Sequence, residues 1–471
     1  MQQRVKLSVS LLIPILILLI PKTWIPIENL SIIEHRFMAI FFLAMFLWVL
    51  EPIPIYATSI LIVVLQLVMV SDHGLVIFMK SAQEPNFGTV LNYKNIMAAF
   101  ASPIVMLFLG GFYLAAAATK YRLDINLARV LLKPFGSQPK TVMLGLMSST
   151  AIFSMFMSNT ATTAMMLALL SPVLAALKPN DRGKIGFVIA IPFAANIGGI
   201  GTPIGTPPNA VAMKYLTAEN AVSFGSWMMF ALPLVILLLI FAWFLLSRLY
   251  PSDSQSIQLD IRSKFLISWQ AITVYSTFAV TILLWLLDFL HGMNSYIVAM
   301  IPVAVFSTTG IVNSEDMKRL GWDILWLIAG GIALGQGLEQ TGLAHHFIDS
   351  IPFDTFSPYS VVALATGITI LMATFMSNTA TANLLLPIIA ALGANLSSLT
   401  PLGGVKMIVI ASTLAASLAM SLAVSTPPNA MAHATGILKS KHMLLPGIII
   451  GLAGLAGVYV LMVVLKWVNF V

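Results

Sequence analysis

Two short polar motifs occur twice in this chain, at almost the same separation. Ser-Asn-Thr-Ala-Thr at 158–162 recurs at 377–381, and Thr-Pro-Pro-Asn-Ala at 206–210 recurs at 426–430. Gly-Gly at 110–111 recurs at 330–331, again with nearly the same spacing. The chain therefore has two related halves, and each half has to place the same two polar segments within very apolar sequence.

The composition restricts the chain to the membrane. Of 471 residues, 59% are hydrophobic and 9% are charged, too few charges to cover a water-soluble domain of this length. The apolar runs are continuous, which indicates helices rather than the alternation of a β-barrel. The basic residues are scattered, so the net charge of +7 does not indicate nucleic-acid binding, and the absence of cysteine excludes disulfides and thiolate metal sites.

The apolar runs predict an all-α polytopic membrane protein with eleven transmembrane helices. The first run follows Arg4 and Lys6 as in a signal peptide, but it lacks a small-residue cleavage pattern, so we expect a retained helix. The predicted spans are 7–21, 36–50, 54–71, 98–119, 185–213, 225–247, 269–290, 295–311, 324–343, 405–437 and 443–468.

Two further apolar segments, 141–177 and 361–400, predict re-entrant helical hairpins. The first is a long run without a charge between Lys140 and Lys178. One helix of that length would measure roughly 55 Å, against a hydrocarbon core of roughly 30 Å. A hairpin that turns inside the membrane fits the length and places the Ser-Asn-Thr motif at its tip, where it must face protein or water.

The basic residues predict a cytoplasmic N-terminus and an outer C-terminus. With that orientation the inner loops hold 17 of the 24 lysines and arginines, as the positive-inside rule requires. The inner residues are Arg4, Lys6, Lys120, Arg122, Arg129, Lys133, Lys140, Lys178, Arg182, Lys184, Arg248, Arg262, Lys264, Lys318, Arg319, Lys439 and Lys441.

The spans also predict an inverted repeat of five transmembrane helices in each half, added to the first helix. An odd number of crossings turns the second half over, the architecture of secondary transporters whose site lies at the repeat interface. The basic segment 120–140 is either an interfacial helix or a solvated loop. The predicted parts are an N-terminal helix and outer loop (1–35), a first repeat (36–247), a cytoplasmic linker (248–268) and a second repeat (269–471).

The Ser-Asn-Thr tips are candidate ligand sites. A helix that begins at a hairpin tip has unpaired N–H groups, and its dipole favours negative charge there. The alternative is simple helix capping or hydrogen bonding between packed helices. Two tips at matched positions favour an anion site, with candidate residues Ser158, Asn159, Thr160, Ser377, Asn378 and Thr379.

The Thr-Pro-Pro-Asn loops are candidate parts of the same site. The segment 198–209 contains four glycines and three prolines, which disfavour an unbroken helix and leave carbonyl oxygens free for a small cation. A mere helix kink is the alternative. Ser154 and Ser158 can face this loop with hydroxyl ligands that suit a hard ion. The candidate substrate residues here are Thr206, Pro207, Thr426 and Pro427.

Two basic residues follow these loops by a few positions. Lys214 and His433 are candidates to compensate substrate charge, although snorkelling of Lys214 and ordinary packing of His433 are alternatives. No metalloprotease, serine-hydrolase or P-loop motif occurs in the sequence, so we predict neither an enzyme nor an ATP-driven pump.

At these motifs the chain resembles the divalent anion/sodium symporter family, the INDY-type di- and tricarboxylate transporters. The two Ser-Asn-Thr tips, the two Thr-Pro-Pro-Asn loops and Trp-Val-Leu-Glu-Pro-Ile-Pro at 48–54 carry the resemblance, which runs from about residue 36 to the end. It implies eleven helices, two hairpins, a fixed scaffold domain, a moving transport domain and a homodimer in the bilayer. It also implies that tips and loops bind a dicarboxylate.

The resemblance further implies two sodium sites, with no other cofactor. One maps onto Ser154, Ser158, Asn159 and Gly199. The other maps around Asn378 and the backbone near Met376, Ala419 and Met420. That second match is weaker, because Ala373 stands where the family has threonine and Ala423 where it has proline.

These departures favour the sodium-independent exchanger branch. We therefore predict elevator-type transport of C4–C5 dicarboxylates such as succinate, malate, fumarate and 2-oxoglutarate across the plasma membrane, by exchange. Sodium-coupled symport of a dicarboxylate or citrate is the alternative. An anion channel would need a continuous pore, against which the paired tips argue, and a membrane enzyme would show covalent turnover of its substrate.

Overall fold

The computed structural model describes residues 2–25, 27, 29–79, 86–178, 180–257, 263–349, 356–468 and 470. Within these ranges 77% of the chain is helical and no strand forms, apart from one isolated bridge between Ser71 and Leu91. The predicted all-α class is confirmed. Arg262, one of the predicted inner-loop cations, lies outside the described residues.

The described helices alternate between long apolar segments and short connecting ones. They are α1 Gln2–Leu19, α2 Ile32–Leu50, α3 Ile55–Met69, α4 Val76–Met79, α5 Tyr93–Ala98, α6 Pro103–Lys120, α7 Leu123–Leu132, α8 Pro139–Phe156, α9 Asn159–Ala176, α10 Gly183–Gly199, α11 Pro207–Met213, α12 Phe224–Leu249, α13 Trp269–Leu286, α14 Asp288–His291, α15 Ser295–Thr308, α16 Ser314–Lys318, α17 Trp322–Gln340, α18 Leu343–Asp349, α19 Pro358–Phe375, α20 Asn378–Asn395, α21 Gly404–Ser417, α22 Pro427–Ala434 and α23 Ser440–Trp467.

Several of these helices have the length and composition of membrane spans. Among the described residues six qualify: Ile32–Leu50, Tyr93–Lys120, Phe224–Leu249, Trp269–Leu286, Pro358–Phe375 and Ser440–Trp467. Shorter apolar helices accompany them, namely Ile55–Met69, Asn159–Ala175, Gly183–Gly199, Ser295–Thr308 and Gly404–Ser417. The count of eleven crossings therefore stays a prediction.

Two of the predicted spans are not continuous helices. The segment 185–213 is divided into α10 and α11, and 405–437 is divided into α21 and α22. The breaks coincide with the glycine- and proline-rich loops, where Pro207 and Pro427 each occupy the first turn of the following short helix. Proline is tolerated at that position because its missing N–H would have no partner inside the helix.

The two polar tips join pairs of helices. Helix α8 ends where Met157 becomes extended (φ −127°, ψ 160°), and α9 begins at Asn159. The same break occurs between α19 and α20, where Met376 has φ −128° and ψ 173°. Each arm has 18 residues, or about 27 Å. An arm whose tip lies halfway through the membrane therefore extends beyond the hydrocarbon on its own side.

The two halves interlock through the short helices after the breaks. Helix α11 from the first half packs on α20 of the second, and α22 from the second half packs on α9 of the first. Helix α10 packs along α8 and α9, as α21 packs along α19 and α20. Since each hairpin touches a short helix of the other half, the polar segments of both halves meet in the centre of the molecule.

The basic segment 120–140 contains a helix, α7, flanked by Arg122 in a left-handed conformation (φ 57°). It packs on α6 and α8. The helical alternative for this segment is thereby favoured over a plain loop, and its location at a membrane surface stays a prediction.

The loop between α9 and α10 is fastened to the linker that follows α12. Asp181 is buried, and its carboxylate accepts hydrogen bonds from Ser252 Oγ (2.8 Å), Ser254 Oγ (3.2 Å) and the Gly183 N–H (2.7 Å). Burial acts to raise the pKa of the Asp181 carboxyl, but these hydrogen bonds outweigh it and hold the pKa below its usual range. The linker thus closes over the base of the first hairpin.

Candidate functional site

One central cavity of about 300 Å³ collects the polar segments of both halves. All ten predicted substrate residues line it: Ser158, Asn159, Thr160, Thr206, Pro207, Ser377, Asn378, Thr379, Thr426 and Pro427. A volume of this size lies at the lower end of small-molecule sites in proteins. The structure thus brings together motifs that are far apart in the sequence.

The hairpin tips present two helix starts to this cavity. Ser158 caps α9, with its Oγ accepting the Ala161 N–H at 3.2 Å. Ser377 caps α20 in the same way, accepting the Ala380 N–H at 3.2 Å. Capping uses each serine oxygen as an acceptor and leaves its O–H free to donate. Two positive helix ends in one cavity favour an anion with two negative groups.

An asparagine braces the loop in each half. Asn209 Nδ2 donates to the carbonyls of Ile200 (3.3 Å) and Thr202 (2.8 Å). Asn429, its counterpart in the second Thr-Pro-Pro-Asn motif, donates to the carbonyls of Met420 (2.8 Å) and Leu422 (2.9 Å). These acceptors occupy corresponding positions, so the two loops share this pair of hydrogen bonds, and Asn209 Nδ2 donates in addition to the Gly199 carbonyl (3.1 Å). This explains why the motif requires asparagine after Pro-Pro.

Asn196 links the two halves, and the sequence analysis did not identify it. Its Nδ2 donates to Thr426 Oγ1 (3.1 Å) and Asn429 Oδ1 (3.2 Å), and the residue lines the cavity. The available signal was a single amide in a stretch of helix α10 that is otherwise apolar from Ile185 to Gly199. Its partners lie in the other half of the sequence, so only the packing shows its role.

The first predicted cation group is assembled. Ser154 Oγ lies 2.5 Å from Asn159 Oδ1 and 2.8 Å from the Ala195 carbonyl. Gly199 backs onto the same amide, since a Cβ there would lie only 2.7 Å from Asn159 Oδ1 and 2.9 Å from the Gly205 carbonyl. Ser158 is the neighbouring N-cap. Hydroxyl, amide and carbonyl oxygens form a donor set that fits a hard cation such as Na⁺.

The second predicted cation group differs in one important respect. Asn378 Oδ1 is buried and has no hydrogen-bond partner within the part of the chain that the structure describes. When the two Ser-Asn-Thr motifs are aligned, Ala373 corresponds to Ser154, and it has no hydroxyl to donate. The Met420 carbonyl is occupied by Asn429. A buried oxygen without a hydrogen-bond donor destabilises the fold unless a cation, a water molecule or a ligand binds to it. Asn378 therefore also fits a ligand-binding role.

The two basic candidates lie apart from the cavity. Lys214 Nζ donates to the Ile332 carbonyl of α17 at 3.1 Å and lies 4.9 Å from the centre of the Tyr215 ring. His433 Nε2 lies 3.4 Å from Ser440 Oγ. Neither residue belongs to the cavity lining, so direct compensation of substrate charge by these two side chains is not what the geometry favours.

The cavity also has apolar lining residues from other helices. Tyr56, Phe108, Phe112 and Leu327 contribute to it from helices α3, α6 and α17. The lining therefore combines dipoles and hydroxyls with aromatic rings and aliphatic side chains. This combination is typical of a site that holds a small organic anion by its charged ends and its carbon chain.

Interlocked broken helices around a central polar cavity define a multi-pass membrane transporter, not an enzyme. The model of a protein family described as "Citrate transporter" matches residues 45–405. The chain belongs to this citrate transporter family, and the resemblance to divalent anion/sodium symporters is confirmed.

Similar proteins agree with this assignment. The sodium-dependent dicarboxylate transporter SdcS of Staphylococcus saprophyticus is 30% identical over 434 residues, covering 84% of this chain and 79% of that relative. An uncharacterized transporter of Schizosaccharomyces pombe is 29% identical, with 90% of this chain aligned to 48% of its length, so the chain spans about half of that relative. The solved YdaH transporter of Alcanivorax borkumensis matches with TM-score 0.53 at 15% identity, covering 93% of this chain and 99% of that structure, which shows a common fold.

Proposed function

We propose that the protein carries C4–C5 dicarboxylates across the plasma membrane, coupled to sodium ions. One observation carries the proposal: two capped helix starts and two braced loops, from opposite halves of the chain, line the same small cavity. A dicarboxylate has a carboxylate for each helix start and a short carbon chain for the apolar lining residues.

Sodium coupling is supported by the charges of the lining. No described residue of the cavity wall is basic, so a dianion has to be held by neutral dipoles. Bringing two negative charges into a partly dry site without compensation is expensive. A bound cation is the simplest compensation, and Ser154, Ser158, Asn159, Gly199 and Asn378 are the residues that would hold it. The predicted exchange rested on the weaker second cation group together with Lys214 and His433, and these two basic residues lie outside the cavity lining.

We further propose an elevator-type movement. The hairpins, the broken helices, α12 and α23 pack among themselves. Helices α1, α2, α3, α6, α13, α15 and α17 form a second packed group, which meets the first mainly where α17 packs on α20 and α11. The first group would move with the cavity and the second would stay fixed. The family resemblance adds a homodimer and eleven transmembrane helices to the proposal. The predicted spans and the basic residues add the inverted repeats, a cytoplasmic N-terminus and an outer C-terminus.

Transport into proteoliposomes tests the function. Labelled succinate, malate and 2-oxoglutarate are offered to the purified protein with and without an inward sodium gradient, and with and without dicarboxylate inside. We expect saturable uptake into empty vesicles that requires sodium. Sodium-independent uptake that needs internal dicarboxylate would establish exchange instead, and absence of uptake of any dicarboxylate would refute the proposed function.

A matched pair of variants ties the function to the cavity. Asn159→Ala and Asn378→Ala each remove an amide from a hairpin tip, and each should reduce uptake about fivefold or more while the protein still folds, because one lost interaction of about 1–3 kcal/mol corresponds to a factor of about 5–150. Asn395→Ala, an exposed amide at the far end of α20, is the control. Full uptake by both tip variants would remove the tips from the site.

A further inference from the structure

Asp323 is the one charged side chain among the described residues that line the cavity, and it is acidic. It lies in the first turn of α17, beside the apolar residues Ile324 and Leu327. A negative charge in the wall of an anion site works against binding. Its presence therefore requires an explanation other than attraction of the substrate.

Helix capping does not explain Asp323. In two other helices a first-turn acid folds back onto the start of the helix: Glu34 Oε2 accepts the Ser31 N–H at 2.7 Å and Asp316 Oδ2 accepts the Asn313 N–H at 3.0 Å. Within the described chain Asp323 accepts no such hydrogen bond and has no ion-pair partner, and α17 begins at Gly321 without a side-chain cap. Asp323 is an exposed residue and belongs to the cavity lining.

The charge occurs in one half of the molecule only. When the Gly-Gly pairs at 110–111 and 330–331 are aligned, the counterpart of Asp323 is Pro103, the first residue of α6. Other wall residues of α17 have apolar counterparts, such as Leu107 for Leu327. The duplicated architecture therefore does not itself require an acid here, and the charge distinguishes one side of the cavity from the other.

We propose that Asp323 is a specificity-determining residue that restricts the site to substrates with two negative charges. The inference rests on the proposed dicarboxylate transport. The two helix starts hold two carboxylates, so a third carboxylate on a substrate such as citrate has no helix start to hold it and lies elsewhere in the same small cavity. There it meets Asp323 and is repelled. At a separation of roughly 8 Å and an intermediate effective dielectric, one such like-charge pair disfavours binding about tenfold.

The proposal predicts how citrate uptake depends on pH. Citrate loses its third proton only as the pH rises toward neutrality, so lower pH increases its dianionic form. Wild-type citrate uptake should rise as the pH falls from 8 to 6, while succinate uptake changes little. Without the Asp323 charge the trianion is accepted as well, and the increase in citrate uptake at low pH should become much smaller.

The test compares labelled citrate and succinate uptake into sodium-energised proteoliposomes at pH 8 and pH 6. Asp323→Asn should raise the citrate-to-succinate ratio at pH 8 about tenfold, and Asp323→Glu should keep the wild-type ratio. Glu315→Gln removes one negative charge from a solvent-exposed pair with Lys318, away from the cavity, and serves as the charge control. Thermal unfolding of each purified variant checks folding.

Several outcomes would overturn the proposal. They are a ratio in Asp323→Asn within twofold of the wild type, an equal change in Glu315→Gln, or a loss of sodium affinity in Asp323→Asn with the ratio unchanged, which would make Asp323 a cation ligand. Failure of the proposed function looks different, since wild-type protein would then take up no succinate. If such a protein carried citrate freely at pH 8, the role of Asp323 would be refuted independently.

Discussion

At the scale of single residues, the two hairpin tips are alike in backbone and different in chemistry. Asn159 and Asn378 occupy corresponding positions, but Asn159 Oδ1 has a hydroxyl donor in Ser154 and Asn378 Oδ1 has none within the described chain. The difference arises because the first half has Ser154 where the second half has Ala373. The two candidate cation groups are therefore unequal, and a ligand that approaches Asn378 gains an oxygen that is already desolvated.

Ser154→Ala tests whether the first group binds sodium. The variant removes the hydroxyl that donates to Asn159 Oδ1, which leaves a half-buried oxygen without its donor at a cost of about 1 kcal/mol. It also removes a candidate sodium ligand. We expect the sodium concentration for half-maximal succinate uptake to rise roughly tenfold, measured by sodium titration in proteoliposomes.

Ser149→Ala is the matched control. Ser149 lies in the same helix, is fully buried, and has a hydroxyl without a hydrogen-bond partner among the described residues. Its removal should leave the sodium titration unchanged. Equal titrations for wild type and Ser154→Ala, or equal shifts in both alanine variants, would contradict a cation role for Ser154.

At the scale of elements, local sequence predicted most of the helices and both hairpin tips. Apolar runs and capping residues act over a few positions, which is why the helices begin where Ser158 and Ser377 stand. The breaks between α10 and α11 and between α21 and α22 could be predicted from glycine and proline, because these residues also act on the backbone locally. The partners of Asn196 and the position of Lys214 against α17 were not predictable, because they depend on how helices from opposite halves pack.

The linker that closes over the first hairpin gives a prediction at this scale. The folded state holds the pKa of Asp181 below its ordinary value, so ionised Asp181 stabilises the fold above the unfolded-state pKa of about 4. This stability is lost as the pH falls through the lower folded-state pKa. Asp181→Asn should cost about 1.5–3 kcal/mol at pH 7, and the difference from wild type should close toward pH 3.

Thermal unfolding of the detergent-solubilised protein between pH 7 and pH 3 measures the effect. Asp253→Asn makes the same charge change at an exposed position of the linker and should leave the melting temperature unchanged. A gap between wild type and Asp181→Asn that is independent of pH would show that the lost packing, and not the carboxylate charge, is responsible.

At the scale of the whole molecule, both halves are needed to form the cavity, because the short helix of each half packs against the hairpin of the other. Helix α11 supports the second hairpin and α22 supports the first, so neither half can form its part of the site alone. Asn196 adds a polar link between them. A movement that carries the cavity across the membrane must then carry both hairpins and both loops together, which agrees with the proposed elevator.

The predicted inverted repeat can be tested by finding the side of the membrane on which two residues lie. Ser137 and Ser357 are exposed and lie just before α8 and α19, at positions that correspond to within one residue in the two halves. Equivalent positions lie on opposite sides of the membrane if the halves are inverted and on the same side if they are parallel. The chain has no native cysteine, so single cysteines at these two positions can be labelled without background.

An impermeant maleimide applied to intact cells gives the measurement. Ser357→Cys should react at once, and Ser137→Cys should react only after the membrane is opened, because Lys133 and Lys140 flank it and basic loops stay inside. Complete reaction of both variants after permeabilisation shows that both positions are accessible. Labelling of both from the same side would replace the inverted repeat with a parallel one and would place both hairpins on one face of the membrane.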